Sequence, residues 1–89
     1  MDNLEYKFNK YISKVKKLKN ISDKDKLYLY ANYKQSLTGN NTIPKPSILD
    51  MVANEKWKAW NNLKDVSKED SMKNYINKVK ELYKNENNS

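Results

Sequence analysis

The sequence predicts an all-α protein, a bundle of four helices. Apolar residues recur at helical spacing in four separate stretches of the 89-residue chain. Serine-led capping sequences precede two of these stretches, and the only glycine in the chain follows one of them. No stretch alternates apolar and polar residues as a half-buried strand would, and no internal repeat divides the chain.

The first helix is predicted over residues 4–18 and the second over residues 22–38. One face of the first helix is apolar, formed by Leu4, Phe8, Tyr11, Ile12, Val15 and Leu18. The second helix begins at Ser22, which is an N-cap residue with Asp25 at the capping-box offset. It ends before Gly39, because glycine adopts the left-handed conformation that commonly ends helices.

Residues 40–50, NNTIPKPSILD, are predicted to form a loop, since two prolines stand among Asn, Thr and Ser. A loop this long in so small a domain is either functional or spans non-adjacent helix ends. The third helix is predicted over residues 52–64. The fourth is predicted over residues 67–84, with a polar tail over residues 85–89. Its apolar stripe consists of Met72, Tyr75, Ile76, Val79, Leu82 and Tyr83.

Composition argues against several classes of protein. With 37% hydrophobic and 33% charged residues, the chain is expected to form one small domain. It contains neither Cys nor His, which removes disulfides, thiolate metal sites and the commonest general base. The acidic pair Glu69 and Asp70 is interpreted as capping and dipole partners of the fourth helix. We therefore expect a non-catalytic protein without metal or cofactor.

The hydropathy of the chain predicts a soluble, cytoplasmic protein. The first ten residues, MDNLEYKFNK, lack the apolar core of a signal peptide. No apolar run approaches the length of a transmembrane helix. A monomer is the expectation for a chain of this size.

The net charge of +7, from 18 basic and 11 acidic residues, predicts an anionic partner. Nucleic acid, an acidic membrane surface and a phosphorylated small molecule all fit that description. Every basic residue is Lys, and the absence of Arg argues against sequence-specific reading of DNA. AT-rich coding favours Lys, Asn, Ile and Tyr together, so we give this absence little weight.

Two lysines fall inside aromatic-rich apolar faces. On a helical wheel, Lys34 lies between Tyr30 and Leu27 in the second helix. Lys56 lies within the apolar arc of the third helix, and Lys16 lies just beyond the edge of the first. The arc around Lys56 consists of Val52, Ala53, Trp57, Ala59, Trp60 and Leu63.

Two interpretations of these lysines remain open. Each aliphatic stem could lie along apolar surface while its ammonium group reaches water. Alternatively, the ammonium groups and aromatic rings converge on one ligand. A base stacked on a tyrosine contributes about 1–3 kcal/mol, and a lysine–phosphate contact is a strong charge-assisted hydrogen bond. A nucleotide with an aliphatic appendage would match such a groove.

Two runs of sequence carry a resemblance to a known family. They are LYLYANYKQSLTG, residues 27–39, and KWKAWNNLKDVSKEDSMKNYINKVKEL, residues 56–82, with KPSILD between them. YxxYKQ followed at this spacing by KWxAWxxLK is a specific signature, and nearly the whole chain is similar to the acyl-CoA-binding protein family. The resemblance implies an up-down-down-up four-helix bundle with a long loop between helices 2 and 3. It also implies one-to-one binding of long-chain fatty acyl-CoA esters by an intracellular carrier and pool former.

The resemblance implies six residues that bind the CoA head group: Lys16, Tyr30, Tyr33, Lys34, Lys56 and Tyr75. Tyr33 would stack on the adenine, and Lys34 would reach the ribose 3′-phosphate. Tyr75 would hydrogen-bond near the ribose and close the site. The other two lysines and Tyr30 would hold the phosphate-bearing part of the ligand. The thioester and acyl chain would lie near Ile12, Leu27 and Ala31.

Four features of the chain depart from the family pattern. Lys26 stands where an apolar residue is common, which would alter chain-length preference if it lies near the acyl groove. Asn54 and Glu55 replace small and basic residues, which would remove positive charge near the phosphates. Ser47 and Asp65 replace glycines and therefore bear on turn geometry, away from the head group.

Other hypotheses remain beside this one. A basic bundle could bind nucleic acid non-specifically, but the lysines are spread around the chain, so no nucleic-acid partner is expected. A helical interaction domain without a small ligand is a third hypothesis. Enzymes that use acyl-CoA are candidate partners. Membrane contact is expected to be at most transient, because the bundle leaves no amphipathic stripe uncovered. Trp57 and Trp60 are interpreted as core anchors and Tyr28 as a surface residue.

Overall fold

The computed structural model describes residues 3–87, which form four α-helices and contain no strand. The helices are α1 (Asn3–Val15), α2 (Asp23–Thr38), α3 (Met51–Asn61) and α4 (Lys68–Asn87). The all-α four-helix prediction is confirmed, including the long connection between α2 and α3. Every helix within residues 3–87 is too short or too polar to cross a lipid bilayer.

Helices α1 and α4 run parallel. The rings of Phe8 and Tyr75 meet with their centroids 5.3 Å apart. Further along both helices, the Tyr83 hydroxyl donates a hydrogen bond to the Lys14 carbonyl oxygen at 2.6 Å. Since residues later in α1 contact residues later in α4, the two helices point in the same direction.

Helix α2 runs antiparallel to α4. Near the start of α2, Asp25 lies 3.5 Å from the ammonium group of Lys78. Later in α2, the Asn32 side-chain oxygen accepts a hydrogen bond from the Asn74 amide at 3.0 Å. The partner on α4 therefore moves backwards as α2 advances. Asn32 is fully buried, and its own amide donates to the Tyr28 carbonyl oxygen, so this polar pair is satisfied within the core.

Helix α3 runs parallel to α2. The Lys56 ammonium group lies over the Tyr30 ring, and one turn later the Trp60 indole N–H donates to Gln35 Oε1 at 3.1 Å. Two consecutive parallel helices require a connection that returns along their length, which explains the loop over residues 39–50. The order of directions is up-down-down-up, with α2 and α4 at the centre, α1 against α4 and α3 against α2.

The apolar core lies where α1, α2 and α4 meet. Its buried members are Phe8, Leu29, Tyr75, Ile76, Val79 and Leu82. Phe8 and Val79 are almost completely excluded from solvent. These positions are the centres of the stripes that helical periodicity predicts, so the core follows directly from the 3.6-residue pattern.

Helix α3 contributes less to the core than its apolar arc predicts. Trp60 is buried, which confirms its role as an anchor, but Val52 is 68% exposed. Part of the apolar arc therefore faces solvent. The physical reason is that α3 packs against α2 alone among the described helices, so only a narrow stripe of α3 is covered.

The helix starts agree with the capping prediction, whereas the helix ends differ from it. The hydroxyls of Ser22 and Ser67 accept the N–H groups three residues later at 3.1 and 3.0 Å. Helix α1 ends at Val15 rather than at residue 18, in tighter turns. Helix α4 continues to Asn87, beyond the predicted residue 84, and the Glu86 carboxylate accepts the Lys19 N–H at 2.8 Å.

The loop between α2 and α3 is fixed to α3 by side-chain amides. The Trp57 indole N–H donates to the Ile43 carbonyl oxygen at 2.6 Å. The Asn54 amide donates to the Ser47 carbonyl oxygen and, at 3.1 Å, to that of Asp50. Asn54 is 8% exposed, so these bonds are shielded from water. The loop therefore lies along α3 in one conformation although it has no secondary structure of its own.

Replacing Asn54 by alanine should lower the free energy of unfolding by about 1–3 kcal/mol, because the hydrogen bonds from the buried Asn54 amide to the loop carbonyl oxygens are lost. Asn61→Ala is the matched control, since Asn61 is exposed on the same helix; its effect should stay within about 0.5 kcal/mol. Chemical denaturation of both variants measures the difference. Equal effects would show that Asn54 does not hold the loop.

Candidate functional site

A groove of about 480 Å³ opens where α1, α2 and α4 approach the connection between α1 and α2. We call it the tyrosine groove. Its lining consists of Ile12, Val15, Lys16, Ile21, Lys26, Leu29, Tyr30, Tyr33 and Tyr75. Five of the nine residues that the sequence nominated are brought together here: Ile12, Lys16, Tyr30, Tyr33 and Tyr75.

The aromatic wall of this groove is held by Phe8 from below. The Phe8 ring stands edge-on to Tyr75 and lies 6.3 Å from the Tyr33 ring, between centroids. The two tyrosine rings are themselves 6.5 Å apart and tilted by 48°. Tyr33 remains half-buried, so part of its ring stays available to a planar ligand. A base placed against it would meet a surface fixed by three helices.

Lys34 follows Tyr33 on α2, and its half-buried side chain turns towards α3. The ammonium group lies 5.0 Å from the centroid of the Trp60 ring. Lys34 forms no ion pair with any residue in 3–87. A cation over an indole face gains about 0.5–1 kcal/mol, which is less than a phosphate would offer. The ammonium group of Lys34, which has no ion pair within residues 3–87, therefore lies against an aromatic ring in this structure.

Lys56 links the tyrosine groove to a second depression. Its ammonium group lies 5.4 Å from the centroid of the Tyr30 ring. It also lines a cleft of about 370 Å³ between the start of α2 and the start of α3. We call this the aliphatic cleft, formed by Asp23, Lys26, Leu27, Met51, Val52, Glu55 and Lys56. Lys26 lines both depressions, so the two lie side by side.

The remaining nominated residues lie in different places. Leu27 lies in the aliphatic cleft. Ala31 is buried and lines a third depression together with Leu27 and Ala59, outside the tyrosine groove, so the structure places it with Leu27 but not with the other candidates. Lys16 is exposed and lies in the turn after α1, where it still borders the tyrosine groove.

Two of the four departures have a structural explanation. The Asn54 side chain points into the loop and donates hydrogen bonds to its carbonyl oxygens, so its role is structural. Asp65 has a φ of 70°, a left-handed conformation that suits glycine and that Asp tolerates. Its N–H donates to Asn40 Oδ1 at 2.7 Å, which fixes the turn after α3. Lys26 and Glu55 remain as charges on the candidate site.

Sequence reasoning did not assign several residues that line this surface. Val15, Ile21 and Leu29 lie in the tyrosine groove, and Met51 and Val52 lie in the aliphatic cleft. Their apolar spacing predicts burial in a core. Only the packing of the helices shows that some of these side chains are left facing a groove.

Burial raises the pKa of the Tyr75 hydroxyl above its ordinary value of 10.0, and the nearby Tyr33 adds to the effect. Within residues 3–87, no group forms a hydrogen bond with the Tyr75 hydroxyl. It therefore stays protonated and free to donate at neutral pH. Such a donor at the wall of a groove suits a ribose or phosphate oxygen.

The raised pKa of Tyr75 predicts a loss of stability at alkaline pH. The folded state favours the protonated phenol. The contribution of Tyr75 to the free energy of unfolding is therefore fully present below pH 10 and is lost as the pH rises through the folded-state pKa. Tyr75→Phe removes it. Denaturation of the wild type and Tyr75→Phe from neutral pH to about pH 11 should show the free energy of unfolding of the wild type falling relative to that of the variant. A difference that is independent of pH would refute this account.

Within the described residues, no group of three acidic side chains is arranged to hold a metal ion. The chemistry of the surface is limited to phenols, ammonium groups, two carboxylates and aliphatic side chains. These groups can stack on a base, neutralise phosphates and cover an apolar chain.

Comparison with known sequences gives consistent results. Residues 5–79 match the model of the family described as Acyl CoA binding protein. The chain is 43% identical over 83 residues to Diazepam-binding inhibitor-like 5 of Rattus norvegicus, covering 92% of this chain and 95% of that protein. It is 41% identical over 80 residues to Acyl-CoA-binding domain-containing protein 2 of Oryza sativa subsp. japonica, covering 89% and 88%.

Comparison with solved structures agrees. The crystal structure of Oryza sativa Acyl-CoA-Binding Protein 2 superposes with a TM-score of 0.94 at 39% identity, covering 98% of each chain. The crystal structure of ACBP from Moniliophthora perniciosa superposes with a TM-score of 0.86 at 29% identity, covering 96% of this chain and 83% of that one.

Proposed function

Because this chain belongs to the acyl-CoA-binding protein family, we propose that it binds long-chain fatty acyl-CoA esters one to one. The observation that carries the proposal is the position of the tyrosine groove beside the aliphatic cleft, with Lys26 lining both. One end offers aromatic rings and unpaired ammonium groups, and the other offers aliphatic surface. An acyl-CoA has the matching order of base, phosphates, linker and hydrocarbon.

In this proposal the head group lies at the tyrosine groove. Tyr33 stacks on the adenine, and Tyr75 donates a hydrogen bond near the ribose. Lys34 leaves the face of Trp60 to meet the ribose 3′-phosphate. Lys56, Lys16 and Tyr30 hold the other phosphate-bearing part. Because Lys16, Lys34 and Lys56 form no ion pair with any residue in 3–87, phosphate binding costs little beyond the desolvation of the groups.

The acyl chain lies in the aliphatic cleft against Leu27, and the thioester passes near Ile12. Ala31 is proposed for this role with them, since it shares a depression with Leu27. Lys26 stands at the junction of groove and cleft, where its charge limits the apolar surface. We expect its stem, rather than its ammonium group, to contact the linker of the ligand.

The protein acts as a carrier and pool former rather than as a catalyst. The sequence contains neither His nor Cys, the side chains whose ordinary pKa lies nearest neutral pH and which most often serve in general acid–base catalysis. As a cytoplasmic monomer it would deliver its ligand to enzymes that use acyl-CoA. Nucleic acid is not expected to compete, because the lysines of the site are interleaved with aromatic and aliphatic groups.

Calorimetric titration with palmitoyl-CoA tests the proposal, with free CoA and palmitate as controls. We expect one site per chain and binding of the thioester at least about 100-fold tighter than of either half. Affinity should rise with acyl length by about 0.8 kcal/mol per CH₂ until the cleft is full. Equal affinity for palmitoyl-CoA and CoA would contradict the proposal, and so would a gel shift with RNA at physiological salt.

A further inference from the structure

Four aliphatic side chains project into solvent at the end of the loop and the start of α3. They are Ile48, Leu49, Met51 and Val52, with exposed fractions of 85%, 89%, 74% and 68%. We call this group the aliphatic tip. Single exposed leucines are ordinary on protein surfaces, but four exposed large aliphatic side chains within five residues are a local concentration that suggests an interaction site.

The aliphatic tip is held in place by hydrogen bonds of its own backbone. The Leu49 N–H donates to the Ser47 hydroxyl at 3.2 Å, and the Asp50 N–H donates to the Ser47 carbonyl oxygen at 3.0 Å. The Asp50 carboxylate in turn accepts the Ala53 N–H at 3.1 Å and begins α3. These polar groups are therefore satisfied within the protein. A segment with satisfied backbone groups can leave water at much lower cost.

Lysines flank the aliphatic tip. Lys45 lies in the same loop, while Lys26 and Lys56 line the aliphatic cleft beside Met51 and Val52. None of the three forms an ion pair with another residue in 3–87. The cleft also carries the carboxylates of Asp23 and Glu55, and the whole chain has a net charge of +7. Projecting aliphatic groups beside unpaired ammonium groups match a bilayer with anionic headgroups.

We propose that the aliphatic tip docks the protein on anionic phospholipid membranes. The four side chains insert at the boundary of headgroups and acyl chains, and the flanking lysines contact the phosphates. A stable dimer buries about 1,200–2,000 Å² of surface, which a patch of four side chains cannot supply alone. A bilayer needs no such area, since each inserted side chain contributes separately.

The position of the tip has a consequence for loading, which rests on the proposed function. Met51 and Val52 belong both to the tip and to the aliphatic cleft. Docking through the tip would place the cleft directly on the lipid surface. An acyl chain could then pass from the bilayer into the cleft without crossing water.

Sedimentation of the ligand-free protein with lipid vesicles tests the docking. The probes are vesicles of phosphatidylcholine and of an equimolar mixture with phosphatidylserine. The wild type should bind the mixed vesicles more tightly, and Leu49→Ser should weaken that binding at least about fivefold. Leu37→Ser is the matched control, because Leu37 is 51% exposed on α2 outside the tip. That control should bind as the wild type does.

Three results would overturn the docking proposal: equal binding of both vesicle types, equal loss in both variants, or no loss in Leu49→Ser. Concentration-dependent self-association that Leu49→Ser abolishes would assign the tip to a second copy instead. No acyl-CoA is present in the assay. Its outcome is therefore independent of the calorimetric test, and either proposal can fail alone.

Discussion

Replacing Phe8 by alanine is expected to destabilise the protein by about 3–5 kcal/mol, the largest effect of any single truncation considered for this chain. Phe8 is 1% exposed and contacts the rings of Tyr33 and Tyr75. The substitution removes a full aromatic side chain where three helices meet, and little nearby can collapse into the space. A domain of this size has only about 5–15 kcal/mol of stability. The variant should therefore be partly unfolded at modest denaturant concentrations.

The control for this prediction lies on the same helix. Tyr6 is 72% exposed, and Tyr6→Ala should change the free energy of unfolding by no more than about 0.5 kcal/mol. Urea denaturation followed by circular dichroism compares the two. A Phe8→Ala variant as stable as Tyr6→Ala would show that the ring is not central to the core.

Replacing Lys34 by methionine should lower the affinity for palmitoyl-CoA by about 10- to 100-fold, because a charge-assisted hydrogen bond is lost. The fold should survive. The ammonium group over Trp60 contributes about 0.5–1 kcal/mol, and the half-buried methionine restores apolar contact. Free energy of unfolding should therefore stay within about 1 kcal/mol of the wild type or increase.

A lysine of equal charge outside the candidate site provides the comparison. Lys84 is exposed near the end of α4, and Lys84→Met should leave the affinity within about twofold of the wild type. Calorimetry with both variants separates a specific contact from a general effect of net charge. Equal losses would assign the effect to net charge and remove Lys34 from the site.

The sequence contained most of the information about the bundle. Helical spacing of apolar residues predicted all four helices, and the serines at residues 22 and 67 marked two of the starts correctly. The helix ends were harder, because they depend on partners distant in sequence. Helix α4 reaches Asn87 beside contacts from Tyr83 to Lys14 and from Glu86 to Lys19. A local pattern cannot report such contacts.

The helical periodicity of the sequence also could not predict the network of polar side chains at the ends of α2 and α3. Gln35 accepts the Trp60 indole N–H and donates to the Val66 carbonyl oxygen and to Asn40. Gln35 is 1% exposed although it is polar. Its partners are 5 to 31 residues away in the chain. Apart from Trp60, each of these residues alone indicates helix surface or turn, and only the assembled fold brings them together around the buried Gln35 side chain.

The candidate site was predicted in part. The unusual position of Lys34 within an apolar arc was visible on a helical wheel, and the resemblance supplied roles for it and for Tyr33. Ala31 lies outside the tyrosine groove. It is one residue from Tyr30, yet a helix turns by about 100° per residue, which directs it to another depression. The exposure of Val52 likewise required knowledge of which helices cover α3.

The most direct test of the account is a two-dimensional ¹⁵N–¹H NMR titration with palmitoyl-CoA, combined with nuclear Overhauser contacts from the adenine protons. We expect saturation at one equivalent, shifts concentrated at the tyrosine groove and the aliphatic cleft, and contacts between adenine and the Tyr33 ring. Shifts spread over lysines on all sides, without saturation or a contact to Tyr33, would contradict the account.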